Sequence, residues 1–73
     1  MNKNNFLYCF DENYNKQALI SIISLLDNLK EKINIYIIHN RPDSFIQQLE
    51  TIKNNKIINI IEIFQYQNSS TDL

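Results

Sequence analysis

Apolar runs along the chain alternate with short polar breaks, and the spacing within them switches between strand and helix periods. Phe6-Leu7-Tyr8-Cys9-Phe10 is apolar at every position. That suits a strand covered on both faces, as in a parallel sheet, with Cys9 as a small buried hydrophobe. Asp11 to Asn13 breaks the run. Ala18, Leu19, Ile22, Leu26 and Leu29 then recur at helical spacing and predict an amphipathic helix that starts near Asn13 or Asn15. Ser21, Ser24, Asp27 and Asn28 fall on its other side. Ile23 and Leu25 widen the apolar arc, and Ile20 lies outside it.

Ile33 to Ile38 predicts a second strand, alternating at first and apolar on both faces at its end. His39-Asn40-Arg41-Pro42 terminates it, because proline has no N–H to give a ladder. Phe45, Ile46, Leu49 and Ile52 form a second helical stripe, opened at Asp43-Ser44. Ser44 and Gln47 have capping-box spacing there, and Asn54-Asn55 closes the helix. Ile57 to Phe64, interrupted by Asn59 and Glu62, predicts a third strand. Strands alternating with helices imply parallel pairing and right-handed crossovers. The expectation is one α/β unit over residues 1–66, a three-stranded parallel βαβαβ arrangement in the order 3-2-1 with helices on the sheet faces. A polar tail, 67–73, follows it.

Composition narrows what such a unit can do. The 73 residues include no glycine, and both the Walker loop and the glycine-rich dinucleotide fingerprint need glycine for close backbone approach to phosphate. Both are excluded. A single cysteine forms neither an internal disulfide nor a cysteine-based zinc site. The net charge of −1 argues against a nucleic-acid or anionic-membrane partner found by charge alone. No apolar run approaches the length of a membrane span, and Met1-Asn2-Lys3-Asn4-Asn5 lacks the apolar core of a signal peptide. The expectation is a cytosolic (cytoplasmic) chain. A chain of this size buries only about 60% of its unfolded surface, so its stability is marginal.

The candidate chemistry lies just past the carboxyl end of the first strand, where open α/β sheets place ligand groups. Phe10-Asp11-Glu12-Asn13-Tyr14 forms an acidic turn there. In one reading Asp11 and Asn13 are turn and capping residues, and Tyr14 is an aromatic packed on the core at a helix start. His39, Asn40 and Arg41 end the second strand on the same side of the sheet. Arg41 can reach a phosphate from there, or all three can be solvated loop groups. Glu12, Glu50 and Glu62 are too scattered for a general acid–base pair.

The run Phe6-Leu7-Tyr8-Cys9-Phe10-Asp11-Glu12-Asn13-Tyr14, followed by Ala18 and by Ser24-Leu25-Leu26, resembles the amino-terminal end of glycosyltransferase family 8. Ile33 to Ile38 matches the strand that follows in that family. The resemblance covers residues 5–40 by motif and 41–66 only by pattern. It implies a GT-A type, Rossmann-like half that binds a nucleotide sugar. By that resemblance Asp11 hydrogen-bonds the uracil edge of a UDP-sugar, helped by Asn13. Tyr14 packs its ring on the base, and Phe10 offers backbone contacts. Carboxylates accept from N–H groups, and aromatic faces stack on planar bases.

The chain departs from the family as well. The family holds a divalent metal, manganese or magnesium, through an Asp-x-Asp motif beyond the third strand. The aspartates here are Asp11, Asp27, Asp43 and Asp72, and none has that spacing. The later His- and Gly-containing motif and the acceptor-binding half are also absent, so no catalytic or metal-binding residue is assigned. The resemblance implies a truncated or split segment that is not catalytic alone. The alternative is a small non-catalytic α/β interaction protein, or a gene remnant, without ligand. In the complete GT-A fold a later strand pairs with the first. Its absence predicts an exposed edge at residues 6–10 that invites self-association or a complementary chain.

Overall fold

The computed structural model describes residues 4–66; the tail 67–73 lies outside the described residues. The elements run β1 (Asn5–Phe10), a 3-10 turn (Glu12–Tyr14), α1 (Asn15–Asn28), β2 (Ile33–His39), a second 3-10 turn (Pro42–Phe45), α2 (Ile46–Ile52) and β3 (Ile58–Gln65). All pairings are parallel, and the sheet order is β1-β2-β3. Written from the β3 edge, the same neighbours read 3-2-1. Neighbours alone do not make a sheet Rossmann-like, because that fold is defined by a second half in which the strand order reverses.

Both crossovers step the same way across the sheet. Right-handed connections therefore put α1 and α2 on one face, where the two helices pack against each other. This corrects the expectation of helices on both faces and of a first strand covered on both sides. Along β1, Phe6, Tyr8 and Phe10 are half-buried, whereas Leu7 is 68% exposed and Cys9 is exposed. Cys9 is therefore not a buried hydrophobe.

The core lies between β2 and the two helices. Ile33, Ile35 and Ile37 on β2 meet Ile22 and Leu26 of α1, with Phe45 and Ile52 from the second crossover. Each such side chain contributes about 1.5–3 kcal/mol on burial. Ile20 is exposed, as its position outside the apolar arc predicts, and Ile46 is exposed against expectation. The second crossover opens with Pro42 in the first turn of its 3-10 helix, where the missing N–H leaves no bond unmade. No capping box forms: the Ser44 hydroxyl donates to the Arg41 carbonyl at 2.8 Å.

Candidate functional site

At the carboxyl ends of the strands, two post-strand turns lie side by side and are cross-linked by polar groups. Asp11 is extended, and its Oδ1 accepts from the Asn13 N–H at 2.9 Å, capping the 3-10 turn that leads into α1. Its other carboxylate oxygen has no hydrogen bond among the described residues. The Glu12 N–H donates to Asn40 Oδ1 at 3.0 Å, and the Glu12 carboxylate pairs with Arg41 at 3.1 Å. Gln65 at the end of β3 donates to the Asn40 carbonyl at 3.1 Å, so all three strand ends are tied together.

His39 lies beneath this lattice with 0% exposure. The Arg41 N–H donates to its Nδ1 at 2.8 Å, so Nδ1 carries no proton. The proton is therefore on Nε2, which donates to Asn15 Oδ1 at 2.7 Å. Asn15 in turn donates through Nδ2 to the carbonyl and hydroxyl of Ser44, both at 3.1 Å. Phe10 meets the imidazole edge-on at 4.9 Å and the Phe45 ring at 5.1 Å. Burial lowers the His39 pKa from its ordinary 6.5, against the opposing pull of Asp11 and Glu12. His39 is thus neither a solvated loop group nor a ligand for anything outside. It holds the two turns in place, and Arg41, largely exposed, pairs with Glu12 through Nη1.

A cleft of about 520 Å³ opens beside the end of β1. Phe10, Asp11 and Tyr14 line it, with Tyr8, Gln17 and Ser21 also in its wall and Cys9 and Tyr66 at its border. Asn13 is exposed and does not line it. Tyr14 is 56% exposed and is not among the residues packed on the core. Gln17 and Ser21 were not among the candidates read from the sequence, and Ser21 was placed on the solvent side of the helix. Their signal is periodic: Tyr14, Gln17, Ala18 and Ser21 follow helical spacing and share one stripe of α1. A second cleft of about 510 Å³ lies between the helices, bordered by Asp27 and Thr51. It contains none of the predicted site residues.

No lysine or arginine lines the β1 cleft among the described residues, so it offers planar and hydrogen-bonding surfaces rather than an anion cradle. Among the described residues no three His, Cys, Asp or Glu side chains converge to hold a metal ion. The nearest carboxylates, Asp11 and Glu12, are engaged in a cap and an ion pair. The described residues do not fit the divalent ion that the family resemblance implies.

No family model matches the chain, and it has no match among the curated proteins or the solved structures.

Proposed function

We propose that the cleft beside β1 binds the nucleoside part of a nucleotide sugar, with uracil as the base. The chain then acts as the amino-terminal, Rossmann-like donor-binding segment of a GT-A, family 8-like glycosyltransferase, cytoplasmic and not catalytic alone. The observation that carries this reading is the joint placement of Asp11 and Tyr14 on one cleft at the carboxyl end of a strand. The free Asp11 oxygen is suited to accept from a base N–H, and the exposed Tyr14 ring to stack on the base face. Phe10 fixes the turn through its packing on His39 and Phe45. Asn13 contributes its N–H to orient Asp11 rather than meeting the ligand. Transfer chemistry requires groups outside the cleft: a metal site, an acceptor site and a strand to cover the β1 edge at residues 6–10.

Because the cleft lacks a basic side chain, most of the binding energy comes from the base. Calorimetry on the folded chain should give uridine and UDP affinities within about threefold of each other, with or without manganese. Tyr14→Ala should weaken both by about tenfold or more. Asp11→Asn keeps an acceptor for the cap and should still lower affinity. Equal affinity in wild type and both variants, or no binding by a folded chain, would rule the site out.

The alternative reading, a small interaction protein without a nucleotide, is favoured by a different observation. The sheet face opposite the helices carries the exposed apolar side chains of Leu7, Ile60 and Phe64.

A further inference from the structure

The open face of the sheet is built from three rows set by strand register. At the amino end the register pairs Asn5 with Asn34 and, past a shift in β3, Asn34 with Ile60, which is 38% exposed; the Asn34 amide donates to Asn5 Oδ1 at 2.8 Å, and that of Asn59, at the shift, donates to Asn34 Oδ1 at 3.0 Å. Leu7, Tyr36 and Glu62 form the middle row. Cys9, Ile38 and Phe64 form the row at the carboxyl end. Leu7 is 68% exposed and Phe64 is 49% exposed. Parallel sheets occur almost only with both faces covered, and neither helix of this chain reaches this one.

We infer that this open face packs against the same face of a second copy of the chain, giving a four-layer α/β/β/α dimer. The inference does not depend on nucleotide binding. Three adjacent strands about 20 Å long and about 4.8 Å apart present roughly 300 Å² in projection, or about 500 Å² with side-chain relief. Two such faces bury about 1,000 Å², which reaches the lower bound of a specific interface. Aligned sheet packing leaves about 10 Å between the layers, a spacing filled by side chains of this size.

Glu62, the single charge on the face among the described residues, decides between arrangements. A two-fold axis along β2 sets β1 of one copy across from β3 of the other. Leu7 then lies opposite Glu62 of the second copy, and Cys9 opposite Phe64 of the second copy. Ile38 and Tyr36 meet their own counterparts at the centre. Each Glu62 sits on an edge strand, so its carboxylate stays at the wet rim and away from its equivalent. An axis across the strands would instead bring the two Glu62 residues together. At one end the asparagine amides form a polar rim beside Ile60, which adds to the apolar face. Pairing through the β1 edge alone is the competing mode. It satisfies backbone groups but leaves Leu7, Ile38 and Phe64 in water.

Analytical ultracentrifugation of the full chain from about 1 µM to about 1 mM should show a monomer–dimer equilibrium. Ile38→Lys and, independently, Phe64→Glu should weaken it by about 100-fold with unchanged circular dichroism, since neither side chain touches the helical layer. In the wild-type dimer Cys9 should react with a thiol reagent about tenfold more slowly than in Ile38→Lys at the same concentration. A folded chain that stays monomeric throughout this range overturns the proposal. So does a dimer in which Cys9 reacts at the monomer rate, which would identify edge pairing. Recovery of the folded chain only as a stoichiometric complex with a different protein on this face overturns it too.

Discussion

Protonating His39 would set two N–H donors against each other, because its bare Nδ1 is the acceptor for the Arg41 N–H. The side chain is fully buried and burial holds its pKa below 6.5. The unfolded chain therefore takes up this proton at a higher pH than the folded one. The stability tied to neutral His39 is complete above pH 6.5 and is lost as pH falls from there through the folded value. Chemical denaturation at pH 7.5 and at pH 5.5 should show lower stability at the acidic value. A His39→Phe variant should lose this part of the pH dependence. His39→Ala should destabilise by about 3 kcal/mol, since it opens a cavity and strands the Arg41 N–H. Asn15→Ala removes a link between His39 and Ser44 and should cost about 1–2 kcal/mol. Arg41→Ala breaks an ion pair whose side chains are 62% and 36% exposed, and should change stability by under about 1 kcal/mol. Reversal of that ranking in denaturant melts would show that the surface pair, not the buried imidazole, holds the turns.

At the scale of the element, burial rather than hydrophobicity should decide the effect of a substitution. Ile37 is fully buried on β2 and Ile20 is 60% exposed on α1. Ile37→Ala should cost about 3 kcal/mol, and Ile20→Lys about 0.5 kcal/mol or less, in urea titrations at neutral pH. Comparable losses would mean that the face assigned to α1 is wrong. The elements themselves were legible in the sequence. Short apolar runs broken by polar turns, set against stripes of period 3.6, located strands and helices within about one or two residues. Which face of each strand is buried was not legible. Phe6 to Phe10 is apolar throughout, so its pattern does not distinguish Tyr8, under α1, from Cys9, in the open. That distinction depends on both crossovers stepping in one direction. His39 was misread for a related reason. A histidine before a proline-containing turn looks solvated until α1 and the second 3-10 turn close over it. Of the candidate site, Phe10, Asp11 and Tyr14 do share a cleft, whereas Asn13 lies outside its wall, with its backbone N–H on Asp11.

For the whole molecule, β2 is central and carries much of the core, while β1 and β3 are edges. Stability should be unevenly distributed. Native-state hydrogen exchange should protect the amides of Ile35 and Ile37 most strongly. Those of β1 and β3 that face away from β2 should exchange far faster. A chain with this little core should unfold with a free energy of about 3–5 kcal/mol. Uniform protection across the three strands would mean that the edges are covered in solution, by a second copy or by another chain.

The sheet order also bears on how the chain is made. Each strand lies beside the one that precedes it in sequence, and no strand is inserted between two formed earlier. During synthesis β2 emerges with its first neighbour already outside the ribosome, and β3 finds β2 waiting. The described sheet can therefore assemble from the amino end in the order in which it is translated. Growth by the same step would add a further helix and then a strand beside β3 and leave every existing contact in place.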